Sequence, residues 1–251
     1  MHFNASVVRR FTLLAALALS SAALAQPAPF SPEQREALGG IIREYLVKNP
    51  EVLQEAFTEL QRRQQEAEQA GRAEVLTSER GKLENSPRDF VLGNPQGDVT
   101  MVEFLDYNCG YCKRAVADVK ALIKADPKLR VVIKDFPVLG PGSVEASRVA
   151  LAAKSQLSGD KLYEFHTKLM ERRGQANGES AKAVAKEMGL DMARLDKDLE
   201  SGEVNVTLQE NMELGEKLGI NGTPGFVIGN EVIAGAVGAE PLKQVIANTR
   251  K

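Results

Sequence analysis

The sequence predicts an α/β protein preceded by a separate helical segment. Three observations carry this. From about residue 99, apolar strand-like runs alternate with helical ones; residues 143–219 read as almost wholly helical; and residues 31–60 carry two helical apolar stripes with no strand between them. A chain of 251 residues has room for one or two domains with a packed core. Hydrophobic residues at 43% and charged ones at 26% are ordinary globular usage, which excludes a fibrous or wholly disordered chain. A formal net charge of −2 offers none of the basic excess of a nucleic-acid binder. Two cysteines cannot complete a four-cysteine zinc site or a disulfide-dense scaffold.

The elements follow in order. Arg9 and Arg10 precede the apolar run from Phe11 to Leu19, and Ala23-Leu24-Ala25 supplies a small-residue cleavage site before Gln26. This is the layout of a secretory signal over residues 1–25, too short in its apolar part for the ~20 residues of a membrane span. A twin-arginine signal ranks second, because paired basic residues are common ahead of ordinary signals. Cleavage leaves 30 basic against 34 acidic residues, a net of −4, with His166 as the remaining histidine. It also implies a compartment in which disulfides persist.

Residues 26–85 form the N-terminal helical region. Ser31-Pro32-Glu33-Gln34 combines an N-cap serine, a proline at the first helical position and a capping-box glutamine. Leu38, Ile41, Ile42, Tyr45 and Leu46 make one stripe, and Leu53, Ala56, Phe57 and Leu60 a second after Asn49-Pro50. Two helices this short are marginal alone, so their apolar faces need a partner. Residues 61–82, rich in Gln, Glu and Arg, read as a solvated helix or linker rather than a coiled-coil seam. Turns at Asn85-Ser86-Pro87 and Gly93-Asn94-Pro95 open a new domain near residue 86.

Within residues 86–251, strands are expected at Val99–Leu105 and Arg130–Phe136, with a helix at Lys113–Ala125 between them. The helical stretch 143–219 breaks at Ser158-Gly159, 174–178, Gly189 and Gly202. A hairpin follows, Gly225–Ile228 and Val232–Ala236 around Gly229-Asn230, and a helix at Glu240–Asn248 closes the chain.

The chemistry concentrates at Cys109-Gly110-Tyr111-Cys112, where the first strand runs into a helix start. Sulfurs at positions one and four of such a start can meet in a disulfide. The first lies at the positive end of the helix dipole, which favours the thiolate that performs disulfide exchange. Cys109 is thus the expected nucleophile and Cys112 the resolving thiol, with Lys113 and Arg114 adding positive charge nearby. A structural staple is a weak reading, because so short a loop constrains the unfolded chain little. Half a zinc site lacks its other ligands, while two thiolates do suit Cu(I).

The run Glu103-Phe104-Leu105-Asp106-Tyr107-Asn108-Cys109-Gly110-Tyr111-Cys112-Lys113 resembles the active-site segment of DsbA-like thiol-disulfide oxidoreductases. Gly222-Thr223-Pro224-Gly225-Phe226-Val227 resembles the cis-proline loop of the same thioredoxin-fold superfamily. The resemblance covers residues 86–251 and implies a thioredoxin fold with an inserted helical subdomain at about 143–219. It implies a cis Pro224 facing the cysteines, with Thr223 presenting its backbone to an extended client. Without the family, Thr223-Pro224 would be an ordinary turn. It also implies a buried proton-relay acid at Glu103, against an outward-facing acid on an alternating strand. Lys134 interrupts an apolar strand and can pair with an acid; His166, in mid-helix, reads as structural or solvated.

Gly110 and Tyr111, with Thr223 before the proline, resemble the active-site choices of DsbC-type isomerases, and an N-terminal helical segment resembles those that oligomerise DsbA-like proteins. The expected function is a periplasmic dithiol-disulfide oxidoreductase, isomerase or reductase favoured over oxidase, working through a Cys109 mixed disulfide without cofactor or metal. Its partners would be cysteine-containing exported clients, a membrane redox protein and further copies of itself. The alternative is a non-catalytic binding protein, a copper-capturing thiol protein or a holdase. Docking of the N-terminal helices on lipid is disfavoured by their mixed charge.

Overall fold

The computed structural model describes residues 30–251, so the expected signal segment, residues 1–25, lies outside the described residues. The chain divides into two compact units, one ending at Gln61 and the other running from Arg62 to Lys251.

The first unit is helical. Helix α1 (Pro32–Lys48) starts as expected: the Ser31 hydroxyl accepts from the Gln34 amide while the Gln34 side chain accepts from the Ser31 amide. None of its residues is buried, and Leu38, Ile41, Ile42 and Tyr45 stand exposed along one face. Helix α2 (Glu51–Ser78) begins in this unit, where Leu53, Phe57 and Leu60 are also exposed. It does not stop near residue 60. The Gln-, Glu- and Arg-rich stretch sustains one helix of 28 residues, because these are good helix formers and an Arg62–Glu66 pair spans one turn.

In the second unit the end of α2 and the short α3 (Arg80–Asn85) lead into a five-stranded sheet. Its strands are β1 (Phe90–Gly93), β2 (Val99–Leu105), β3 (Leu129–Asp135), β4 (Gly225–Ile228) and β5 (Glu231–Ala234), in the order β1-β3-β2-β4-β5. Only β2 and β3 pair in parallel, joined through α4 (Gly110–Ala125); the other neighbours are antiparallel. Between β3 and β4 lie five helices: α5 (Pro141–Ala153), α6 (Gly159–Glu171), α7 (Gly178–Glu187), α8 (Met192–Leu199) and α9 (Gly202–Lys217). Helix α10 (Ala239–Thr249) ends the chain. This is the thioredoxin arrangement with a helical insertion, and the insertion breaks where the sequence expected. Strand β1 was not expected: four residues beside a Gly-Asn-Pro turn carry no readable alternation.

Strand alternation divides the core in two. Met101, Leu105, Val131, Ile133 and Phe226 face one side, under α4, α10 and the insertion. Val102, Phe104, Val132 and Val227 face the other, under Leu76 of α2, Leu83 of α3, and Leu214 and Leu218 of α9. Residues 62–85, read as a solvated helix or linker and the run-up to the new domain, thus help to cover the sheet. Two cations fix them there: Lys134 Nζ donates to the Lys82 carbonyl at 2.7 Å, and Arg130 donates to that of Glu84 at 2.6 Å. The acid that pairs with Lys134 is Asp89, at 2.5 Å and wholly buried with it.

Candidate functional site

Strand β2 delivers the chain to one edge of the sheet through Asp106-Tyr107-Asn108, and Cys109 becomes the N-cap of α4. Its Sγ accepts from the Cys112 amide at 3.4 Å, the capping bond that a serine or aspartate would make. The same thiol donates to the Thr223 carbonyl at 3.1 Å. Both cysteines are free thiols here; Cys109 retains 6% exposure and Cys112 none. Burial pushes the Cys112 thiol far up, so it is held protonated.

Glu103, two residues before the end of β2, is 3% exposed. Its neighbours on the same side of the strand, Met101 and Leu105, belong to the core under α4, as does Cys112. Its carboxyl, desolvated by that core, is pushed up to about 8. The peptide between Thr223 and Pro224 is cis. Pro224 is buried, and its carbonyl accepts from the Gly235 amide at 2.8 Å. A groove of about 470 Å³ adjoins, lined by Tyr111, Ile220, Thr223, Pro224, Val232 and Ile233 among others. Tyr111 is 60% exposed, with the Arg114 guanidinium 4.3 Å above its ring centre, a cation–π contact. A Cβ at Gly110 would meet nothing within 4 Å, so no steric demand selects glycine there.

The fold brings Cys109, Cys112, Thr223, Pro224 and Tyr111 to one rim, with Glu103 on the sheet face that also carries Cys112's core. It adds residues to which the sequence analysis gave no part in the site. Asp135, at the end of β3, is fully buried, and burial pushes it up to about 8, with the Ser147 side chain opposing the shift. An acid closing a strand after the apolar run Val131-Val132-Ile133 was the available signal. Tyr107 is buried with its hydroxyl 3.4 Å from His166 Nδ1. Burial lowers His166 to about 4, leaving a neutral imidazole at physiological pH, and it raises the Tyr107 phenol. Among the described residues no group of three or more His, Cys, Asp or Glu is arranged to hold a metal ion, and no helix is long and apolar enough to cross a membrane.

Comparison with known proteins supports the fold. The family model of the DSBA-like thioredoxin domain matches residues 100–247, and that of the copper resistance protein ScsC N-terminal domain matches residues 34–67. A thioredoxin-like oxidoreductase from Silicibacter pomeroyi is 45% identical, covering 68% of this chain and 97% of its own, with a TM-score of 0.65. A linker-deletion variant of ScsC from Proteus mirabilis is 29% identical over 89% of this chain and 98% of its own, with a TM-score of 0.66. A Na(+)/H(+) antiporter, NhaA 1 of Salinispora arenicola, is 26% identical over 163 residues, 64% of this chain. The chain spans only about a quarter of that antiporter's length, 24%.

Proposed function

Because the chain belongs to the DSBA-like thioredoxin domain family, we propose that it is an exported thiol-disulfide oxidoreductase in which Cys109 attacks and Cys112 resolves. The observation that carries this is the Cys109 sulfur at the cap of α4, 3.1 Å from the Thr223 carbonyl. Helix N-termini favour thiolate over thiol. The Cys109 thiolate attacks one sulfur of a client disulfide, forming a mixed disulfide and expelling the other client sulfur as thiolate, which takes up a proton. Cys112 then loses its proton and attacks Cys109 Sγ, forming the Cys109–Cys112 disulfide and releasing the second client thiol. Two electrons and two protons pass to the client; the reverse sequence oxidises a client dithiol.

Cys112 is buried and protonated, so its step needs a base. Glu103, at about 8, suits that role as a relay exchanging its proton near neutral pH. Thr223 and Pro224 border the groove beside Cys109 and suit backbone pairing with an extended client, a mode tolerant of sequence. Gly110, Tyr111 and Thr223 favour isomerase or reductase over oxidase. The apolar faces of α1 and the start of α2, in the segment matched by the ScsC N-terminal domain, support a homo-oligomer through these helices. The functional division follows: signal segment 1–25, helical region 26–85 whose last third also packs on the sheet, and catalytic domain 86–251. Action in the periplasm on exported clients, with a membrane redox protein to reset the cysteines, completes the reading.

Turnover of scrambled ribonuclease against oxidation of a reduced peptide ranks isomerase against oxidase. Absence of exchange in both would sink the enzyme reading. The second reading, stoichiometric Cu(I) capture by the two thiols, draws on the likeness of residues 34–67 to the N-terminal domain of a copper resistance protein and on the affinity of paired thiolates for Cu(I). Cu(I) retained against a strong chelator without any thiol turnover would establish it instead.

A further inference from the structure

The residue preceding a reactive cysteine sets the direction in which the chain enters the helix. Here it is Asn108, whose carboxamide has two donors and an acceptor to place. Its Nδ2 donates to Ser143 Oγ at 2.9 Å and to the Ala176 carbonyl at 2.8 Å, while its Oδ1 accepts from the Ala176 amide at 2.7 Å. The amide therefore grips Ala176 by both backbone groups, as a neighbouring strand would.

Ser143 passes the connection on. Its hydroxyl donates to Asp106 Oδ1 at 2.7 Å, and that oxygen also accepts the Asn108 backbone N–H at 2.8 Å. Asp106 Oδ2 accepts from the Leu139 amide at 2.9 Å, and the Asp106 carbonyl accepts from the Cys109 amide at 3.0 Å. Asp106 and Ser143 are fully buried. The close approach is specific: a Cβ at Gly142 would lie 3.0 Å from the Ala176 carbonyl oxygen. Four segments meet in this ring: the turn after β2, the first turn of α5 with the loop before it, the loop before α7, and the cap of the catalytic helix. The ring ends on Cys109's own backbone. On the loop before α5, Val138 and Leu139 are exposed.

Resting on the thiol-exchange reading above, we infer that Asn108 is a positioning residue through which the helical insertion holds Cys109 at the cap of α4 and sets its redox equilibrium. A fixed cap keeps the Cys112 amide on Cys109 Sγ in the reduced pair; a loosened one gives up that bond and favours the disulfide. Contact of a client with the loops on either side of Asn108 would act on the same ring.

The test is the equilibrium constant of the Cys109–Cys112 couple with glutathione, and the rate of Cys109 alkylation by iodoacetamide, in the full mature chain. Asn108→Ala is expected to move the equilibrium at least ~3-fold toward the disulfide and to slow alkylation by a similar factor, from loss of the fixed cap. Ser143→Ala, which breaks the ring but leaves both Ala176 bonds, should give a smaller shift in the same direction, and it serves if Asn108→Ala does not fold. Asp191→Ala, which removes the cap of α8 in the same insertion, controls for general loosening and should change neither readout. An unshifted couple in both ring variants, or an equal shift in Asp191→Ala, would overturn the inference. Failure of the wild-type chain to exchange with glutathione at all would instead overturn the proposed function.

Discussion

The Cys109 thiol donates to the Thr223 carbonyl across 3.1 Å although 114 positions separate them in the chain. The contact joins the start of α4 to the loop before β4, and both are held because β2 pairs with β4 directly beneath them. A strand pairing thus sets the distance between the thiol and the peptide group that borders the groove.

The two cysteines should separate cleanly. Cys109→Ser removes the attacking sulfur and should lower exchange by about three orders of magnitude or more. Cys112→Ser keeps the nucleophile but not the buried resolving thiol, so mixed disulfides with clients should accumulate. Non-reducing electrophoresis with mass spectrometry reads both outcomes. Equal trapping by the two variants would contradict the assignment.

The relay proposed at Glu103 would link catalysis to stability. Its folded-state value of about 8 lies above the ordinary 4.5, so the native state holds a proton that the unfolded state has lost. Stability is complete below about 4.5 and falls as pH rises toward 8. Glu103→Gln should flatten that decline and leave the protein about 2–4 kcal/mol more stable at pH 8, at about 1.4 kcal/mol per unit. It should also slow release of the mixed disulfide, most of all near neutral pH. Urea denaturation across pH and single-turnover kinetics test the two halves separately.

Asp135 obeys the same sign without the same chemistry. Burial raises it from 3.8 to about 8, so its contribution is also lost as pH rises through that interval. Asp135→Asn should flatten the stability profile as Glu103→Gln does, yet change mixed-disulfide resolution by less than about threefold, since no relay is assigned to it. Equal kinetic effects of the two variants would show that both acids serve Cys112.

The buried Lys134–Asp89 pair holds the segment ahead of β1 against the sheet. Burial raises Asp89 to about 6 and lowers Lys134, so each charge depends on its partner. Lys134→Met should cost about 3–5 kcal/mol by stranding Asp89. Adding Asp89→Leu should recover much of the loss. A denaturation double-mutant cycle with strictly additive effects would refute the coupling.

Gly215 on α9 faces Phe136, where an added Cβ would lie 2.4 Å from Cε2 of the ring. Phe136 in turn stacks edge-on against Phe104 of β2, with ring centres 5.7 Å apart. Gly215→Ala should therefore destabilise by about 1–3 kcal/mol through overpacking, despite alanine's better helix propensity. Thermal unfolding at fixed pH measures it.

Local patterns made much of this protein readable. The strand entering Cys109-Gly110-Tyr111-Cys112, the breaks of the helical insertion and the box at Ser31 to Gln34 depend on residues within a turn or two of one another. So do their signals: periodicity, caps and turn residues. The resemblance then pointed to Pro224 and Glu103. Strand β1 escaped because four residues are too few to show a period, and the continuous α2 because solvated helix and linker share a composition.

What only the tertiary structure decided is which distant groups meet. Glu103 lies inside β2 and Asp135 closes β3, and either could have faced water; the register of β2 on β3 and the helices packed above bury both. Lys134 could have paired with any acid, and the antiparallel β1 brings Asp89 to it. Asn108 looked like part of a loop until α5 and Ala176 closed on it. Residue type and spacing determine what a side chain can do chemically, but burial and partnership are set by long-range packing, and a local pattern carries no record of them.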